Sequence, residues 1–240
     1  MMMIRAVLFD LDDTLFDHRY SSQSALATLY ARYACLQQKS LAELNDLHKD
    51  LLEHYHRELL AGRHTLDSAR HERFRQLFAC YGEQLAEEET AAASECYRTV
   101  FMANRQLMAG AGQLLAYLRT RVRIGIVTNN MRDEQTAKLA HLGITELIDE
   151  LITSEEVGLA KPDPGIFVAA LQRLHSTPAE SVMVGDSWAA DVLGATQLGI
   201  RTIWLNREPL ACPDPALATE ISAFEPLEQI ADLILHGKPQ

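Results

Sequence analysis

Residues 4–15 read Ile-Arg-Ala-Val-Leu-Phe-Asp-Leu-Asp-Asp-Thr-Leu, and this stretch decides the fold. Ile4–Leu11 is a short apolar run with β-branched and aromatic members and acids at its end, the pattern of a buried strand. Asp10 and Asp12 are two apart, so a strand continuing through them would place both on one side. Downstream the period changes. From about Tyr20 to Arg105 it is helical: Leu41, Leu44, Leu47, Leu51, Leu52, Tyr55 and Leu59 recur at three- and four-residue steps, as do Phe74, Leu77, Phe78 and Tyr81. Gly62 and Gly82 mark helix ends there.

After Gly110 and Gly112 helices and short apolar strands alternate. Helices are predicted over 114–120, 133–142, 164–174 and 189–198, and strands over 122–128, 151–153, 181–185 and 202–205. Continuously apolar strands separated by helices indicate a parallel sheet covered on both faces, a Rossmann-like α/β fold. The expected organisation is a core of residues 1–16 and 106–240, interrupted by an all-helical domain over 17–105.

The chain has 240 residues, with 22 Lys+Arg against 33 Asp+Glu and a net charge of −11. That acidity argues against binding a nucleic acid polymer, which needs a basic face. An anionic substrate would then need local positive charge. No run of 18 apolar residues exists, so no membrane span is expected. Met1–Asp10 is too short and too soon charged for a signal peptide. Cys35, Cys80, Cys96 and Cys212 lie far apart without a CxxC pair, which predicts reduced thiols in a cytoplasmic protein. A monomer or homodimer is expected, with no feature of the sequence choosing between them.

Ligands of an open parallel sheet lie outside the carboxyl ends of its strands. Those ends carry Asp10-Leu11-Asp12-Asp13-Thr14, then Thr128-Asn129-Asn130, then Lys161 ahead of Pro162-Asp163-Pro164, then Gly185-Asp186-Ser187 with Asp191 following. Asp163 suits a helix N-cap and Pro164 the first turn, which leaves Lys161 in the loop before that helix.

DLDDT, TNN, KPDP and GDSWAAD, taken in this order, resemble the four signature motifs of the haloacid dehalogenase superfamily, and the helical insertion after the first resembles the cap of its phosphatase-like members. The resemblance spans essentially the whole chain. It implies a Mg²⁺-dependent phosphatase that hydrolyses a small phosphorylated metabolite through an aspartyl-phosphate. Asp10 would be the nucleophile and Asp12 the acid and base. Lys161, Thr128 and the backbone near Asn129 would bind the phosphoryl oxygens. Asp10, Asp186 and a carbonyl of Asp12 would hold the metal, with Asp191 holding its waters or Lys161. Dehalogenation of haloacids would make Asp12, Asp186 and Asp191 superfluous; a phosphomutase would use the same motifs; a non-catalytic phosphometabolite-binding module is the remaining alternative.

Elsewhere plain readings win. Asp13 is a turn residue and Trp188 packs. His54 and His56 diverge on their helix, and Glu87-Glu88-Glu89 starts one. Arg70, Arg73 and Arg75 form the solvated face of an amphipathic helix; the alternative is that some bind substrate anions.

Overall fold

Ala6, Val7, Leu8 and Phe9 form β1 (Ala6–Phe9), and all four side chains are fully buried. Successive strand residues point to opposite faces, so burial at every position means that both faces of the sheet are covered. In the computed structural model, which describes residues 3–208 and 210–237, β1 is joined by β2 (Arg123–Thr128), β3 (Glu150–Thr153), β4 (Ser181–Gly185), β5 (Arg201–Leu205) and β6 (Ala218–Ile221). The strand order is β3-β2-β1-β4-β5-β6, with every pairing parallel. Phe9 stands opposite Ile126 on one side and Val184 on the other, so β1, β2 and β4 end within two residues of one another.

The chain divides into two compact units, Met1–Asp17 with Gln106–Gln240, and His18–Arg105. The sheet unit carries α5 (Ala111–Arg119), α6 (Arg132–His141), α7 (Ser154–Val157), α8 (Pro164–Arg173), α9 (Leu193–Thr196) and α10 (Leu227–His236). Ile166, Phe167 and Ala170 of α8, with Leu174 just past its end, pack on Leu8, Val127 and Ile152 of the sheet. The helical unit holds α1 (His18–Arg32), α2 (Leu41–Leu60), α3 (Leu66–Ala79) and α4 (Glu87–Ala103). Its own core includes Leu26, Leu29, Leu44, Phe74, Phe78 and Tyr97. Ser40 with Glu43, and Thr65 with Ser68, close capping boxes at the starts of α2 and α3. Gly62 and Gly82 just beyond their ends take the left-handed backbone, φ +70° and +78°.

Two expectations change. β1 stops at Phe9 rather than Leu11, because Leu11 instead closes a tight turn in which its carbonyl accepts the N–H groups of Thr14, Leu15 and Phe16. The helix expected over 189–198 is a wide π-type turn over Trp188–Val192 followed by the single turn α9, a distortion that recurs at functional sites. And β6 and α10 were not anticipated at all.

His48 of α2 is 1% exposed, and burial, with the charges of Arg73 and His18 nearby, holds its pKa well below the usual 6.5. The groups facing it from α1, α3 and α4 are His18, Arg73, Phe74 and Tyr97, none of them acidic. Above 6.5 the ring is neutral folded or unfolded and contributes no pH dependence. Below it the unfolded chain takes up a proton that the folded one refuses, so stability should fall by up to about 1.4 kcal/mol per pH unit. Urea melts between pH 7 and 5 check this; His48→Phe should flatten the profile.

Candidate active site

Asp10 follows β1 directly and is buried, its main-chain N–H bonded to the Val184 carbonyl of β4 at 2.9 Å. One carboxylate oxygen accepts from Lys161 Nζ at 2.7 Å, and the other from Thr14 Oγ1 at 3.1 Å. Lys161, 6% exposed, also donates to Asp191 Oδ1 at 2.6 Å. Asp191 Oδ2 accepts the N–H of Ser187 at 3.0 Å, which ties the π-type turn to the end of β4. Asp186 completes the group: Thr14 Oγ1 lies 3.2 Å from its carboxylate and 3.1 Å from its N–H. Oxygens of Asp10, Asp186 and Asp191 all lie within 4.8 Å of one another.

The electrostatics of this cluster are those of excess negative charge. Burial pushes the Asp10 carboxyl up to about 7, the charges of Asp191 and Asp12 add to this, and Lys161 opposes it. Burial also raises Asp186 well above the usual carboxylate value, with Asp10, Asp191 and Asp13 reinforcing it. Burial works against a charged Lys161, but Asp10 and Asp191 outweigh it and hold the ammonium protonated. Three carboxylates, if all ionised, would leave two negative charges against one ammonium, and burial makes that charge costly, so the site is complementary to a dication with hard oxygen ligands.

Gly185, the last residue of β4, makes this approach possible. A Cβ there would stand 2.2 Å from Asp191 Oδ2. Gly185→Ala is therefore expected to displace Asp191 from Lys161 and to cost about 1–3 kcal/mol in urea denaturation.

The carboxylate of Asp12 belongs to a different set. Lys138 of α6 forms an ion pair with it, Gln135 Nε2 donates to it at 2.8 Å and Asn130 Nδ2 at 3.3 Å. The strand alternation that would align Asp12 with Asp10 does not apply, because β1 has already ended. Gln135 Nε2 also donates to Thr128 Oγ1 at 2.9 Å, which leaves the Thr128 O–H available to donate elsewhere. Asn129 clasps the lysine loop: its amide donates to the Lys161 carbonyl at 2.8 Å and its oxygen accepts the Lys161 N–H at 2.6 Å. Asp163 caps α8 by accepting from Gly165 N–H at 2.8 Å, with Pro164 in the first turn. Asp13, at φ +62°, is a turn residue paired with Arg207 at 3.2 Å, and Trp188 packs edge-on against Trp204.

The structure thus brings Asp10, Lys161, Asp186 and Asp191 into one cluster, and links Asp12 to Thr128 through Gln135. Thr14, Asn130, Gln135 and Lys138 were not anticipated as site residues. Thr14 lay inside a motif already singled out. Lys138 and Gln135 sit on an ordinary amphipathic helix more than 120 residues from Asp12, and only the fold shows them to be buried.

Three clustered carboxylates, two of them buried, with a buried lysine and a fourth carboxylate nearby, gathered beyond the carboxyl ends of parallel strands, make this an α/β enzyme with an acidic, metal-complementary site. The chain belongs to the haloacid dehalogenase-like hydrolases, whose family pattern matches residues 4–199. It is 32% identical over 211 residues to a ribulose-1,5-bisphosphate 5-phosphatase of Halopiger xanaduensis, covering 84% of each chain. It is 33% identical over 211 residues to a glyceraldehyde 3-phosphate phosphatase of Methanothermobacter thermautotrophicus, covering 86% of this chain and 87% of that one. YfnB of Bacillus subtilis, solved bound to magnesium, superposes with a TM-score of 0.76 at 27% identity, covering 96% of this chain and all of the other.

Proposed function

We propose that the protein is a Mg²⁺-dependent phosphatase that hydrolyses a small phosphomonoester through a phosphorylated Asp10. The observation carrying this reading is the single cluster in which Asp10, Asp186 and Asp191 meet Lys161. Asp10, Asp186 and the main-chain carbonyl of Asp12 would hold Mg²⁺, with Asp191 remaining the partner of Lys161. When bound, the ion offsets the charge that would otherwise keep an anionic ester from a carboxylate nucleophile.

The rest is done by the chain. Asp10 attacks phosphorus as the ester P–O bond breaks, which leaves the phosphoryl group on its carboxylate. Asp12 gives a proton to the departing oxygen, then takes one from the water that cleaves the acyl phosphate and regenerates Asp10. Lys161 fixes positive charge beside the phosphoryl oxygens, and Thr128 O–H with the backbone near Asn129 donates to them. Lys138, Gln135 and Asn130 position the Asp12 carboxylate. The relatives named for ribulose bisphosphate and glyceraldehyde phosphate favour a small phosphorylated metabolite as substrate. The four free thiols fit a cytoplasmic setting, and no described helix is long and apolar enough to cross a membrane.

The purified chain with Mg²⁺ should release phosphate from members of a phosphomonoester panel that includes a generic aryl phosphate. Chelation should abolish the release and added Mg²⁺ restore it. Silence across the panel, or halide release from haloacids that survives chelation, would overturn the reading.

A further inference from the structure

The helical unit buries a cation that no carboxylate neutralises. Arg73 of α3 is 9% exposed, yet among the described residues it makes no hydrogen bond and no ion pair. The expectation that it belongs to a solvated face therefore fails. Arg75, two residues on, shows the ordinary arrangement, exposed and paired with Glu72 at 2.7 Å. Arg73 instead lies over two rings, its Cζ 5.1 Å from the centroid of Phe74 and 5.6 Å from that of Tyr97. Its Nε is sealed from solvent without a partner.

His48 of α2 lies against the same rings, 4.9 Å from Tyr97 and 6.0 Å from Phe74 between centroids. Its Nε2 is likewise sealed and unpartnered. The Tyr97 hydroxyl beside them donates to Ser22 Oγ at 2.9 Å. The charged neighbour of Arg73 is Arg70, and those of His48 are Arg73 and His18. Three helices thus hold a guanidinium and an imidazole against the same rings, with Arg73 Nε and His48 Nε2 unsatisfied and no acid among these neighbours. Solvation opposes such an arrangement unless a counter-charge completes it. The planar guanidinium fork matches the two oxygens of a phosphate or carboxylate.

We propose that the helical unit binds an oxyanion, a phosphate or carboxylate group, at Arg73, with His48 Nε2 as its second contact. The anion is one free in solution, inorganic phosphate being the simplest.

The Arg73 Nε–H resonance of the full-length, wild-type chain, assigned by triple-resonance spectra, is followed while inorganic phosphate is titrated in. A saturable shift is expected, and its absence would overturn the proposal whether or not the protein hydrolyses esters.

Discussion

Asp10→Asn is expected to lower phosphate release on the order of 10⁴-fold or more, equivalent to at least about 5.4 kcal/mol of transition-state stabilisation. The amide keeps the shape of the side chain and can still meet Lys161 and Thr14, but it offers no anionic oxygen to attack phosphorus. The structure also gives the sign of the accompanying change in stability. Burial and the neighbouring charges of Asp191 and Asp12 already push Asp10 towards its neutral form, up to about 7. The substitution removes one of three crowded carboxylates and leaves Lys161 paired with Asp191. Thermal melting of the variant should therefore match or exceed that of the wild type while activity is lost. A variant that retains more than about one per cent of activity would contradict the assignment of Asp10 as nucleophile.

The second large effect concerns Lys138. If this side chain positions Asp12 for proton delivery, Lys138→Met should act according to the leaving group. Alkyl phosphates, whose departing alkoxide needs a proton, should lose about 10²-fold in kcat/KM, the lower end of what general acid catalysis supplies. Aryl phosphates, whose phenolate leaves unaided, should lose less than about tenfold by the same reasoning. A purely structural role would depress both equally. Lys138 is buried and its ammonium lies 4.8 Å from the Phe16 ring centroid, so methionine keeps most of the stem packing. Steady-state kinetics on a graded series of leaving groups reads the slope directly.

Much of this molecule was legible before its structure. β1, β2, β4 and β5 announce themselves because a strand covered on both faces is apolar through its middle, with polar residues confined to the ends. β6 (Ala-Thr-Glu-Ile) could not, since it lies at the edge of the sheet and carries an exposed glutamate in its middle. α10 is a different case: Ile230, Ala231 and Ile234 share one buried face at helical spacing, and the signal was present but unused. The candidate site divides the same way. Asp10 and Asp186 stand at strand ends, where local pattern and topology coincide, and Lys161 stands in the loop that opens α8, where Asp163 and Pro164 mark the helix start. Gln135, Lys138 and Arg73 are polar residues on amphipathic helices, where the period assigns them to solvent; only packing with distant segments turns them inward. For Arg73 the pattern pointed the wrong way.

The junction between the two units bears on how the chain folds. Phe16 pairs with Leu107, the Asp17 N–H donates to Gln106 at 3.0 Å, and the Met108 N–H donates to Leu15 at 2.8 Å, so the segment between them leaves and returns at one point. β1 must find partners more than a hundred residues away, β2 and β4, a non-local search whose entropy slows folding. A helical segment of about 90 residues, rich in local contacts, is expected to condense early, and doing so would tie off that long excursion and bring the ends of the search together. Refolding of the sheet should then depend on the kinetic competence of a segment that contributes none of its strands. Core substitutions such as Leu29→Ala or Phe78→Ala should slow the appearance of native sheet as well as weaken the helices they occupy.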